Sequence, residues 1–216
     1  MHHTDDAAER AVRSFAAALI GEIAHELNNR LATMRETVGL LEDLARTGKA
    51  GAAGTARAHA SLDAQVGRSL NIVRTLGGLG GALGSTGSGF DAGAAIGDLL
   101  AMTERWARRT SLAIERDIAA DLPRAAGDAA LFLCLVHRLI HRFAEGRQPG
   151  GGLALRAARD GSVIRVSLTQ KGSRAAPGAA TDANEHEIDR ELARRLGGEL
   201  EFGGGGVLTI KLAALP

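Results

Sequence analysis

The chain has 216 residues, 45% of them hydrophobic and 24% charged, so it can form a core and is not expected to be disordered. Its 26 basic and 25 acidic residues leave a formal charge of +1, which gives no support for binding nucleic acid or an anionic membrane through bulk charge. The single cysteine excludes an internal disulfide and a cysteine-based zinc site.

No segment predicts a membrane span or a secretory signal. The longest uninterrupted apolar run, residues 129–136, is much shorter than the ~20 residues that a span requires. The N-terminus is polar and mixed in charge, unlike a signal peptide. We therefore expect a cytoplasmic protein, and we expect Cys134, within the apolar run, to be a buried structural thiol.

Two long amphipathic helices are predicted in the first 84 residues, separated by glycines at 48–54. One hairpin buries a single stripe per helix, whereas two hairpins can pair as a four-helix bundle, so we expect a homodimer. The apolar stripes contain Ile20, Ile23, Leu27, Leu31, Met34, Val38 and Leu41 in the first helix (5–45), and Leu62, Val66, Leu70, Val73, Leu76, Leu79 and Leu83 in the second.

The second half predicts two or three helices over a mostly antiparallel sheet, an α/β sandwich that makes the whole chain α+β. We divide the chain into a helical domain at 1–84, a glycine- and serine-rich linker at 85–89 and a second domain at 90–216. Asp128 is a predicted helix N-cap, Asp160-Gly161 a hairpin turn and Gly197 a helix stop. The predicted helices lie at 92–108, 129–143 and 185–196, and the predicted strands at 111–118, 153–157, 164–168, 199–202 and 207–212.

His25 is the first candidate functional residue. At 100° per residue it lies about 200° from both Ile23 and Leu27, so it is predicted to face solvent. Asn29 follows one turn later on the same face, with Glu22 nearby. An exposed imidazole beside a carboxylate and a carboxamide can act as a nucleophile or a proton shuttle, although a lone histidine at such a position is usually only part of the surface.

Residues 25–31, HELNNRL, resemble the phosphoacceptor box of two-component sensor histidine kinases, HELNNPL, with Arg30 in place of proline. Loss of that proline should remove a helix kink and no reactive group. The resemblance continues into the ATP-binding domain of that family, and it implies a dimeric four-helix bundle followed by an ATPase-type sandwich. It is carried by Phe90-Asp91, Asp121-Leu122-Pro123, Gly127-Asp128, the helix at 131–143 and Leu196-Gly197-Gly198-Glu199-Leu200.

The resemblance also implies roles for the residues of this box. His25 would carry a phosphoryl group on a ring nitrogen, and Glu26 would be its acid/base partner. Asn29 would position water for dephosphorylating a partner response regulator. Specificity for that partner is expected from exposed residues below His25, such as Arg30, Thr33 and Thr37.

Three nucleotide-binding elements of that family are not matched. The asparagines of its magnesium-binding helix fall on His137 and His141, and its adenine-reading acid falls on Gln170. The second glycine of the adenine box is Arg174, and the phosphate loop at 175–187 keeps only Gly178. We therefore expect no ATP binding, no cofactor and no metal site, with Mg²⁺ for transfer supplied by the partner receiver domain.

The remaining histidines are expected to be ordinary. His137 and His141 are four residues apart and could chelate a metal, but no third ligand is evident, so both should face a loop or solvent. His59 and His186 are expected on the surface.

These patterns favour a histidine phosphotransfer protein that exchanges phosphoryl groups with response-regulator receiver domains on His25 without using ATP. Whether it is an enzyme in the usual sense is left open. The alternatives are a divergent but active sensor kinase, a non-catalytic dimeric inhibitor or scaffold of two-component proteins, and a response-regulator phosphatase that uses Asn29.

Overall fold

The computed structural model describes residues 2–48, 51–84, 89–145, 151–171, 183–203 and 206–215. Its contacts divide the chain into two compact units. The helical unit is Ala17–Gly77, and the sandwich unit combines Met1–Ala16 with Gly78–Pro216. The predicted domain boundaries stay predictions, and residues 85–88 of the predicted linker lie outside the described residues.

Two long helices, α1 (His2–Arg46) and α2 (Ala52–Gly84), confirm the predicted helical pair. Within the helical unit a side-chain hydrogen bond joins Arg30 of α1 to Gln65 of α2. No described helix is long and apolar enough to cross a membrane. Among the described side chains of these helices, eight large apolar ones are nevertheless exposed in the single chain, namely Ile20, Leu31, Val38, Leu40, Val66, Leu70, Val73 and Leu76.

The sandwich unit contains a five-stranded sheet in the order β2-β4-β5-β7-β6, in which only the β2–β4 pair is parallel. The predicted mixed α+β architecture is therefore confirmed. A second, two-stranded sheet pairs β1 with β3, and it was not predicted because two-residue strands show no alternation. The elements are β1 Phe90–Asp91, α3 Ala92–Arg109, β2 Ala113–Ile118, β3 Arg124–Ala125, α4 Ala129–Glu145, β4 Gly152–Asp160, β5 Val163–Lys171, α5 Ala183–Arg195, β6 Glu199–Gly203 and β7 Val207–Ala213.

The core of the sandwich unit forms where alternate strand residues meet the apolar face of α4. Leu155, Leu168 and Leu208 stand side by side across three strands and are almost completely buried. Cys134 is fully buried, as predicted, and burial raises the pKa of its thiol to about 12. Burying such aliphatic side chains stabilises the unit by roughly 1.5–3 kcal/mol each.

Local signals explain where the main elements begin and end. The Asp128 carboxylate accepts a hydrogen bond from the backbone N–H of Ala130 at 2.7 Å, which confirms the predicted cap of α4. Gly127 before it has φ of +109°, and a Cβ there would lie 2.4 Å from the Leu196 carbonyl oxygen, so only glycine fits. Gly197, with φ of +76°, closes α5 by donating to the carbonyl of Arg194.

Candidate functional site

His25 lies on the solvent-facing side of α1, as its helical position predicts. The side-chain nitrogen Nδ2 of Asn29 is 3.1 Å from Nε2 of His25, one turn along the same face. In this contact the amide nitrogen donates and Nε2 accepts, which requires the imidazole tautomer that carries its proton on Nδ1. In that tautomer the nitrogen with the lone pair is Nε2, the one beside Asn29.

The Glu26 carboxylate forms an ion pair with Arg30, and only 21% and 19% of the two side chains is exposed. Arg30 also donates from Nη1 to Oε1 of Gln65 on α2 at 3.3 Å. The structure therefore brings His25 and Asn29 together, while the carboxylate of Glu26 is engaged by a cation that also binds the second helix.

The predicted receiver-contact residues are less accessible than expected. Arg30, Thr33 and Thr37 are all half-buried rather than exposed. The Thr33 hydroxyl donates to the carbonyl of Asn29 at 3.0 Å, and the Thr37 hydroxyl donates to the carbonyl of Thr33 at 2.8 Å. The expectation of exposure was wrong because Arg30 turns toward α2 and both hydroxyls bond back to their own helix.

Four neighbouring rings, two pairs tilted and one pair stacked, form a row on α4 in the sandwich unit that is called the ring stack below. His137 lies between Phe15 and His141, with ring-centroid distances of 5.1 Å and 4.3 Å. His141 in turn stacks on Trp106 of α3 at 3.9 Å. The prediction that both histidines face a loop or solvent was wrong, because the sequence does not reveal that Phe15 and Trp106 meet them.

Burial sets the charge of this stack. It lowers the pKa of His137 to about 4, with further lowering by His141 and Arg138. Burial also lowers the pKa of His141, partly offset by Glu145. Two uncharged imidazoles do not fit Mg²⁺, which prefers oxygen ligands, so the ion implied by the family resemblance has no suitable ligand at these two positions.

The pKa of His137 makes stability depend on pH. The unfolded chain takes up this proton near pH 6.5 and the folded chain only near pH 4, so the stabilisation is complete above pH 6.5 and is lost as the pH falls toward 4. We expect His137→Phe, which keeps a ring in the stack, to lose about 2–3 kcal/mol less stability than the parent between pH 7 and pH 4. Urea unfolding at both pH values measures this; equal losses in the two proteins would contradict it.

A buried ionic cluster joins α4 to α5. Asp189 is fully buried and accepts from Nε of Arg138 at 2.9 Å, and it also pairs with Arg142. Glu185, one turn earlier on α5, pairs with the same Arg138. Sequence reasoning missed this cluster, although two arginines and two acids, each pair four residues apart, are a pattern that facing helices can use.

The other candidate positions are placed as follows. Gln170 is buried at the end of β5, and its backbone N–H donates to the carbonyl of Gly206. Residues 172–182, which include Arg174 and Gly178, lie outside the described residues. His59 is exposed as predicted, whereas His186 is half-buried against Phe202. Within the described ranges, no group of three or more His, Cys, Asp or Glu side chains could hold a metal ion.

No protein-family model matches the sequence, and no curated protein matches it. Solved structures do match the fold. The Acinetobacter baumannii histidine kinase AdeS matches with a TM-score of 0.51 and 16% identity, over 89% of this chain and 98% of that chain. The catalytic domain of the histidine kinase ThkA matches with a TM-score of 0.50 and 16% identity, over 60% of this chain and 97% of that chain.

At 16% identity these matches establish the fold. They agree with the element order observed, in which long N-terminal helices precede a mixed five-stranded sheet with helices. The chain therefore has the histidine-kinase fold, with an ATPase-type domain after its N-terminal helices.

Proposed function

We propose that this chain is a histidine phosphotransfer protein of two-component signalling, which exchanges phosphoryl groups between His25 and the aspartates of response-regulator receiver domains without using ATP. The observation that carries the proposal is the exposed His25 imidazole, whose Nε2 contacts the Asn29 amide at 3.1 Å. The histidine-kinase fold supports the same signalling context.

The transfer needs few groups from this chain. Nε2 of His25 attacks the phosphorus of the receiver's aspartyl phosphate as the Asn29 amide swings aside, because both partners use the same electron pair. A nitrogen–phosphorus bond forms, the acyl oxygen–phosphorus bond breaks, and the electron pair leaves with the receiver's carboxylate. The proton on Nδ1 stays in place, and the receiver domain supplies the Mg²⁺ that neutralises the phosphoryl oxygens.

The α4 ring stack favours transfer over ATP-dependent phosphorylation. Phosphoryl transfer from ATP depends on positioning the nucleotide and on neutralising its phosphates with a metal ion. His137 and His141 supply no oxygen ligand, and both rings are committed to the stack with Phe15 and Trp106. A phosphorylated receiver supplies its own metal and leaving group, so it avoids this requirement.

A second copy of this chain is the proposed cover for the exposed apolar face of α1 and α2. The eight large apolar side chains exposed on these helices would face water in a monomer. Pairing two hairpins as a four-helix bundle would bury them and would present two His25 side chains.

The position of Asn29 beside His25 supports a second activity at the same site, the dephosphorylation of a receiver domain. We expect Asn29→Ala to transfer at a rate within about threefold of the parent, because the mutation frees Nε2, but to dephosphorylate a receiver at least about tenfold more slowly. Transfer and inorganic phosphate release, measured on one phosphorylated receiver, separate the two effects. A tenfold fall in transfer would show that Asn29 assists transfer itself.

The direct test of the proposal is a relay experiment. Receiver domains from the same genome are labelled with radioactive acetyl phosphate, freed of that reagent and mixed one by one with the purified chain. We expect acid-labile, base-stable label on the chain and its onward passage to a second receiver. If no receiver in the panel labels the chain, the proposal is wrong.

A further inference from the structure

Arg30 occupies the position at which this chain departs from the motif that it resembles, and its guanidinium contacts both helices of the hairpin. It pairs with Glu26 on the preceding turn of α1 and donates to Gln65 of α2 at 3.3 Å. Its Nε is buried without a hydrogen-bond partner. A buried donor without a hydrogen-bond partner is unfavourable. The contacts of Arg30 with Glu26 and Gln65 therefore hold its side chain in this position, unlike a mobile side chain on the surface.

The Glu26–Arg30 pair differs from exposed ion pairs at the same helical spacing. The side chains of Glu9 and Arg13 are 57% and 72% exposed, and their charged atoms are 3.8 Å apart. In the Glu26–Arg30 pair the exposed fractions are 21% and 19%. Because water screens the Glu26–Arg30 pair much less than the Glu9–Arg13 pair, the attraction between its charges is stronger and the Glu26 carboxylate is held more firmly.

We propose that Arg30 is a positioning residue that holds the Glu26 carboxylate away from proton transfer at His25 and thereby selects acyl phosphates as phosphoryl donors. The inference rests on the proposed function and adds the donor class to it. Gln65 anchors Arg30 to α2, so that the carboxylate is fixed from the second helix as well.

The chemistry of the two donor classes explains this selection. When the donor is an aspartyl phosphate, the leaving carboxylate departs without a proton, and attack by Nε2 needs no base. Phosphoramidate has a poorer leaving group, ammonia, and needs a stronger nucleophile. A free carboxylate would provide it by taking the Nδ1 proton as the bond from Nε2 to phosphorus forms and the bond from phosphorus to the departing ammonia breaks. With Glu26 bound to Arg30, that assistance is withheld and the better leaving group is favoured.

The test uses Arg30→Met, which keeps the packing of the stem and removes the charge, alone and combined with Glu26→Gln. Transfer from one phosphorylated receiver and transfer from acetyl phosphate and phosphoramidate are measured between pH 5.5 and 8.5. We expect Glu26→Gln to lower phosphoramidate-dependent labelling much more in Arg30→Met than in the parent, because the ion pair with Arg30 already withholds the carboxylate in the parent. We expect Arg30→Met to raise phosphoramidate-dependent labelling of His25 about tenfold and to change its pH profile.

The double variant tests whether the gain comes from Glu26. Adding Glu26→Gln to Arg30→Met should remove both the increased phosphoramidate-dependent labelling and the altered pH profile. Arg30→Lys, which keeps the positive charge, should behave as the parent. If the methionine variant does not fold, Arg30→Gln releases the Glu26 carboxylate with a different side chain. The control is Arg13→Met, at the exposed Glu9–Arg13 pair, which should change neither the labelling nor its pH profile.

Two results would overturn the inference. One is a Glu26→Gln effect of the same size with and without Arg30, and the other is no gain in either Arg30→Met or Arg30→Gln. Absence of receiver-dependent label in every protein, including the parent, would instead remove the proposed function and this inference with it.

Discussion

His25→Ala should abolish receiver-dependent phosphorylation of this chain, with less than about 1% of the parent's label remaining. We expect a complete loss because one nitrogen of the His25 imidazole forms the bond to phosphorus. The neighbouring Asn29 side chain is an amide and cannot act as the nucleophile instead. Label from a phosphorylated receiver is counted after denaturing electrophoresis at alkaline pH, where phosphohistidine survives.

His59 provides the matched control, since it is an exposed histidine on the other helix. His59→Ala should label within about twofold of the parent, because nothing in the proposed chemistry uses it. Equal labelling of the parent and His25→Ala, or a loss in His59→Ala alone, would contradict the assignment of His25. Circular dichroism of both variants excludes a loss of helix as the cause.

Asp189→Ala should destabilise the sandwich unit by about 3–5 kcal/mol. The carboxylate is fully buried and binds the guanidinium groups of Arg138 and Arg142. Removing it leaves buried positive charge that Glu185 offsets only in part. Removing one partner of a buried ion pair is costly because the remaining charge stays out of water.

Cys134 reports this loss directly, because it is the chain's single cysteine and is fully buried in α4. Thiol labelling requires the unit to open, and a loss of 3–5 kcal/mol should speed it roughly 150- to 4,000-fold. Asp160→Asn is the control, since Asp160 pairs with Arg165 on the surface and should cost less than about 1 kcal/mol. Similar labelling rates in the two variants would refute the structural role of Asp189.

Much of the fold follows from local patterns in the sequence. The alternating residues of β4 and β5, the turn at Gly161 and the cap at Asp128 are each determined by neighbouring residues, and each was predicted. The exposure of His25 follows in the same way from its angle to the apolar stripe. In these cases periodicity and backbone chemistry decide the structure before tertiary contacts do.

The remainder depends on contacts between residues far apart in the chain. From the sequence, Arg30 is predicted to be exposed to solvent, but in the folded chain it contacts Gln65 of α2. His137 is likewise predicted to lie on the surface, but the ring of Phe15 packs against it. The sequence does not predict this contact, because no periodic pattern joins residues so distant in the chain. The engagement of Glu26 by Arg30 was missed for a related reason: the four-residue spacing permits the pair, but burial makes it strong.

The most direct measurement compares two donors on one protein. The purified chain is incubated with labelled Mg-ATP and, separately, with a labelled receiver domain, and the modified residue is mapped in each case. We expect phosphate on His25 from the receiver and none from ATP at physiological concentrations. ATP-dependent phosphate on His25, with none from any receiver, would show that the chain is a kinase and not a phosphotransfer protein.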